Sequence, residues 1–98
     1  MKSFIAIVSD EIGIHARPAS VVISSASKFE SDLQLITTKD NKQANLKSVM
    51  QVLSLAVRYE AEIKVTAEGS DEDEAIEHIK ASMVKNGIIK SESIRDSS

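Results

Sequence analysis

The sequence predicts an α+β domain, an open-faced β-sandwich in which a four-stranded antiparallel sheet is covered on one face by three helices. Three observations lead there. Short segments alternate apolar and polar residues, as half-buried strands do; three others carry apolar residues at helical spacing on one side; and turn formers separate them in the order β-α-β-β-α-β-α. With 98 residues there is room for one modest core and one domain, expected over residues 1–88. Residues 89–98 are mostly polar and are expected to form a frayed tail.

Each element has its own signal. Residues 4–8 are rich in β-formers and are stopped by Ser9-Asp10-Glu11, which makes a first strand. Ala19, Val22, Ile23, Ala26 and Phe29 then form one helical stripe. Pro18 lacks an N–H and is tolerated only in a helix's first turn, so this helix begins close to His15. Leu33, Leu35 and Thr37 alternate with polar residues in a second strand. Lys39-Asp40-Asn41-Lys42 is turn-like, and a short strand over 43–45 closes a hairpin. Residues 46–57 read as a short helix, apolar nearly all round. Val52, Leu55 and Ala56 line one face toward the sheet, and Val49, Met50 and Leu53 fall on another. In the fourth strand, 62–67, Ile63, Val65 and Ala67 point inward. Ser70 is placed to cap a third helix whose acidic first turn, Asp71-Glu72-Asp73-Glu74, suits the positive helix end. Ala75, Ile76, Ile79 and Met83 are its buried stripe, and Asn86-Gly87 stops it.

Composition narrows the function. The net charge of -3 and an aromatic content of 3% argue against a protein that grips nucleic-acid phosphates. No apolar run approaches a membrane span, and the apolar start is too short for a secretory signal. With no cysteine, disulfides and thiolate metal sites are excluded, and a cytoplasmic setting is expected. Nothing demands oligomerisation, so a monomer is the default.

The chemistry concentrates in Gly13-Ile14-His15-Ala16-Arg17-Pro18-Ala19. A histidine at a helix start can serve as a cap or a partly buried polar group. As a metal ligand it needs companions, and the other histidine, His78, sits on a different helix, four residues after Glu74, where a solvated charge pair suffices. A hydrolytic triad lacks local support. The remaining reading makes the imidazole a nucleophile that carries a phosphoryl group. The helix start offers unpaired N–H groups and a positive dipole end. Arg17 supplies a permanent cation for phosphate oxygens. Phosphoryl transfer asks mainly for positioning and charge stabilisation, and this cluster provides both. A small domain with one such site is a carrier, loaded by one partner and unloaded by another.

This run resembles the phosphohistidine signature of the HPr family, the histidine-containing phosphocarriers of the phosphoenolpyruvate-dependent sugar phosphotransferase system. Asn45-Leu46-Lys47-Ser48-Val49-Met50 is similar to that family's regulatory serine motif. The resemblance runs from Phe4 to about Gly87, and the two motifs stand in the family's order. It implies that His15 accepts a phosphoryl group on Nδ1 from phosphorylated enzyme I and hands it to the IIA domains of sugar transporters, with Arg17 contacting the group. It implies no cofactor and no metal. Docking is implied at Ala16, Ser20, Val49, Met50 and Leu53, and a methionine suits a surface that meets several partners.

Ser48 begins the second helix, where serine caps well unmodified. The resemblance implies a further role. In some members a dedicated kinase/phosphorylase phosphorylates this serine, which slows histidine loading and creates a corepressor for a catabolite-control transcription factor. A regulatory relative acting mainly through phospho-Ser48 is therefore the alternative to a carrier. The chain departs from the family pattern at Ile12, where many members have a small polar residue, and over 56–60, which lacks the glycines often found there. The hairpin over 37–44 looks slightly longer than the common one, and the tail beyond Gly87 longer than expected.

Overall fold

The computed structural model describes residues 1–96. The strands are β1 (Lys2–Ile7), β2 (Asp32–Thr37), β3 (Lys42–Asn45), β4 (Glu62–Glu68) and β5 (Arg95–Asp96), and the helices are α1 (Ala16–Ala26), α2 (Val49–Ser54) and α3 (Glu72–Lys85). One antiparallel sheet runs in the order β3-β2-β4-β1-β5. Period-two alternation sends Phe4, Ala6, Leu33, Leu35, Ile63, Val65 and Ala67 to one face. There they meet the apolar stripes of the helices: Ala19, Val22, Ile23 and Ala26 from α1, Val52 from α2, and Ala75, Ile76, Ile79 and Met83 from α3. The α+β fold with three helices over an antiparallel sheet is the one the sequence predicts.

Four local expectations are corrected. The sheet has five strands, because the C-terminal segment does not fray within the described residues. Ile88 and Ile89 are buried, residues 91–93 form a 3-10 turn, and β5 pairs with β1 through Phe4↔Asp96 and Ile5↔Arg95. The charges of β5 are partnered: Arg95 meets Glu62 at 3.0 Å, and Lys80, lying 5.7 Å from the centre of the Phe4 ring, pairs with Asp96. Residues 97–98 of the expected tail lie outside the described residues.

Helix α2 spans only Val49–Ser54, and Leu46 is buried in the turn before it. The chain leaves the helix because Ala56 adopts a left-handed conformation (φ 51°), so Ala56 is exposed and does not line the sheet. Helix α3 begins one residue later than predicted, and Asp71, not Ser70, is its N-cap. The Asp71 carboxylate is used across the fold instead, accepting from the Glu30 and Ser31 amides at 2.9 and 3.0 Å and from the Ser31 hydroxyl. These donors, the Ser31 hydroxyl first, hold its carboxyl below the usual carboxylate range. Finally, His78 lies against Phe29, ring centres 5.4 Å apart, and forms no pair with Glu74 among the described residues.

Candidate functional site

The site is built on the turn that joins β1 to α1. The Asp10 carbonyl accepts the Gly13 N–H at 2.8 Å, and Asp10 Oδ1 accepts the Ile12 N–H at 3.0 Å, which closes a tight polar turn. Gly13 then takes φ 86°, which L side chains rarely adopt. Its bare Cα lets the loop seat against the 57–58 backbone: the Ile14 N–H donates to the Val57 carbonyl at 3.1 Å, and a Cβ on Gly13 would lie 2.2 Å from that same oxygen. Ile14 is buried behind the loop, so the turn is anchored to the core before the helix begins.

His15 is the N-cap of α1, with extended backbone (φ -123°, ψ 175°) and its carbonyl accepting the Ala19 N–H at 3.1 Å. Its side chain caps nothing. The imidazole instead turns back toward the preceding turn, Nε2 lying 3.1 Å from Asp10 Oδ2, and remains 37% exposed. In the first helical turn the Ala16 and Arg17 N–H groups have no carbonyl behind them, and Pro18 has no N–H at all. Two amides and the positive helix end therefore stand beside the ring. Arg17 is exposed and makes no ion pair among the described residues, so its guanidinium is free for an anion. The Asp10 carboxyl is held below the usual carboxylate range, chiefly by the Ile12 amide and to a smaller degree by His15.

Around this centre the surface is uneven. Ala16 and Ser20, a turn apart on α1, are both exposed. On α2 Met50 is 81% exposed, whereas Val49 and Leu53 are half-buried and packed on the core. Ile12 is 74% exposed, three residues before His15, and adds an apolar side chain that the sequence reading treated only as a departure. Ser48 is the N-cap of α2, its hydroxyl oxygen accepting from the Gln51 amide at 3.3 Å. Asp10 is the residue that sequence reasoning missed. The one available signal is an acidic residue in a turn five positions before the histidine, and only the fold shows that it reaches the ring.

A cleft of about 550 Å³ lies elsewhere, between the hairpin turn (Lys39, Asp40) and the 55–62 segment with Tyr59. The imidazole stands outside it and is 37% exposed. No helix of the described residues is long and apolar enough to cross a membrane.

Comparison with known proteins adds the remaining finding. Residues 2–85 match the family described as PTS HPr component phosphorylation site. The phosphocarrier protein HPr of Mycoplasma genitalium is 45% identical over 89 residues, which is 91% of this chain and all of that protein. The HPr of Mycoplasma capricolum is 44% identical over 90 residues, 92% of this chain and 99% of its own. Among solved structures, a mycoplasma histidine-containing phosphocarrier protein superimposes with a TM-score of 0.86 at 44% identity, covering 91% of this chain and 99% of that one. An HPr from Thermoanaerobacter tengcongensis gives 0.80 at 38% identity, over 88% of this chain and 94% of its own.

Proposed function

The chain belongs to the HPr family of the bacterial phosphotransferase system, and from that premise we propose that it is a phosphocarrier whose acceptor is His15. The observation that carries this is the geometry at the start of α1. An exposed imidazole that caps nothing sits at the helix start, followed by the unpaired Ala16 and Arg17 amides and by Arg17, whose guanidinium makes no ion pair among the described residues. Each of these groups binds phosphate oxygens, and the ring supplies the lone pair.

In the loading step, the Nδ1 lone pair attacks the phosphorus of phosphorylated enzyme I. The new N–P bond forms as the donor's bond to phosphorus breaks, and the donor keeps that electron pair. The proton on Nε2 stays in place, so the phosphorylated ring carries a positive charge beside a dianionic phosphoryl group. The Ala16 and Arg17 amides and the Arg17 guanidinium offset the phosphoryl charge, leaving positioning as the protein's main contribution. Unloading to a IIA domain is the same step in reverse. The chain is a carrier in this scheme, cytoplasmic and monomeric, and needs neither metal nor cofactor for the step. Ala16 and Ser20 on α1, with Ile12, Val49, Met50 and Leu53, form the surface on which partners dock around the histidine.

Ser48 supports a second, regulatory reading. It caps α2 next to the exposed Met50, so a phosphate there adds charge at the edge of the docking surface. A serine kinase/phosphorylase is the partner this requires, and a catabolite-control transcription factor the partner it serves. Ser48→Asp keeps an N-cap acceptor and is expected to slow loading by enzyme I about tenfold while leaving the fold intact. Unchanged loading removes the regulatory reading.

The carrier reading is tested by relay. The chain is mixed in catalytic amount with phosphoenolpyruvate, enzyme I and a IIA domain, and phosphate on the IIA domain is followed with time. Label is expected on IIA only when the chain is present, and His15→Ala is expected to abolish it. Equal transfer with His15→Ala contradicts the reading.

A further inference from the structure

We infer that Asp10 is a positioning residue that locks His15 in the tautomer with its lone pair on Nδ1; the inference rests on His15 being the acceptor. The geometry is explicit. Asp10 Oδ2 lies 3.1 Å from Nε2, and Asp10 Oδ1 accepts the Ile12 N–H at 3.0 Å, so the carboxylate is itself held on its far side. A carboxylate only accepts hydrogen bonds, so Nε2 carries the proton and, in the neutral ring, Nδ1 the lone pair. The side chain is short, and the turn closed by the Gly13 N–H to the Asp10 carbonyl fixes where it points. Once Nδ1 is phosphorylated the ring is positively charged, and the same carboxylate then faces a full opposite charge. Asp10 thus favours both the reactive tautomer and the loaded state without touching the phosphoryl group.

The Ile12 amide makes the inference sharply testable. In Asp10→Asn, that amide can only donate, so the carboxamide must turn its oxygen toward Ile12 and its NH2 toward the ring. Nε2 then becomes the acceptor and the proton moves to Nδ1, the atom required as nucleophile. The same turn bond is retained, so the substitution changes the ring's partner and little else.

The experiment uses the full chain with nitrogen-15-labelled histidine, observed by long-range proton–nitrogen correlation above the pH at which imidazole titrates. His15 of the unaltered protein is expected to show Nε2 protonated and Nδ1 bare. Asp10→Asn is expected to exchange the two and to load from enzyme I about tenfold more slowly, the effect of one hydrogen bond aimed the wrong way. His78 serves as an internal reference whose pattern does not move. A protonated Nδ1 in the unaltered protein overturns the inference by itself, whatever the variant does. So does an Asp10→Asn protein with the same ring pattern, or one that loads at the original rate. The spectrum is read without enzyme I, so a failure of the carrier reading shows separately, as an unaltered protein with the expected tautomer that enzyme I does not load.

Discussion

Gly13→Ala tests whether the loop that carries His15 is held in place by close backbone contact. Two costs are legible in the structure. Gly13 sits at φ 86°, where an L residue costs about 1–2 kcal/mol. Its new Cβ would also stand 2.2 Å from the Val57 carbonyl oxygen and 3.0 Å from the Arg58 Cα, both backbone atoms with no rotamer to escape into. Relief requires the loop to lift off the 57–58 segment, which breaks the Ile14 N–H to Val57 bond and adds about 1–3 kcal/mol. The alanine also restricts the unfolded chain, returning about 0.4–1 kcal/mol. The net expectation is a loss of about 3 kcal/mol, read from the urea midpoint at constant m. Gly87→Ala is the matched control: φ is 71° and nothing lies within 4 Å, so only the conformational cost remains, about 1 kcal/mol. Gly13→Ala should also slow loading by enzyme I, because lifting the loop draws Asp10 and His15 apart. Equal destabilisation by the two alanines, with loading unchanged at Gly13, would refute the reasoning.

Other consequences follow from the same structure. Ala56 (φ 51°) and Glu60 (φ 68°) are non-glycine residues in the left-handed region, so Ala56→Gly and Glu60→Gly should each stabilise by about 0.5–1 kcal/mol in urea titrations; a loss at both would show that the 56–60 backbone is not strained. Removing residues 90–98 takes away β5, the Ser93 hydroxyl that accepts the Ile7 N–H at 3.0 Å, and the cover that Ile94 gives the core. The shortened chain should remain folded, lose about 1–2 kcal/mol, and exchange the Ile5 and Ile7 amides faster; unchanged exchange would contradict the fifth strand. Asp71, Asp10 and Asp40 all have folded-state carboxyls held below the ordinary range. As the pH falls below about 4 the unfolded chain takes up these protons first, so the stability they contribute is present above that pH and is lost on acidification through the lower folded values. Asp71→Asn should flatten this acid dependence in urea midpoints measured between pH 5 and 2, and an identical slope would remove Asp71 from the account.

Much of this was legible in the chain because it depends on neighbours in sequence. Pro18 places the helix start beside His15, the period-two alternation at Leu33, Leu35 and Thr37 orients a strand, and Gly13 marks a special turn. What was missed closes through space. Asp10 reads as a strand stop until the turn brings its carboxylate to the ring. Asp71 reads as one charge of an acidic first turn, but its partners Glu30 and Ser31 lie 41 and 40 positions away along the chain. Arg95 and Asp96 look like solvated tail residues, yet Glu62 and Lys80 await them across the fold. The end of α2 was misjudged for a different reason: apolar periodicity continues through Leu55 and Ala56, and only the backbone sign at Ala56 ends the helix. Ala56 and Glu60, in a stretch without glycine, hold two side chains in the left-handed region where glycine is favoured.

The most direct test of the account locates the phosphate itself. The chain is loaded with phosphoenolpyruvate and a catalytic amount of enzyme I, kept out of acid, and mapped by mass spectrometry, with phosphorus–nitrogen coupling reporting the bonded ring atom. One acid-labile, alkali-stable phosphate on His15, bonded through Nδ1, is the predicted result. Phosphate on His78, on Nε2 of His15, or none from an enzyme I that loads another carrier would contradict it.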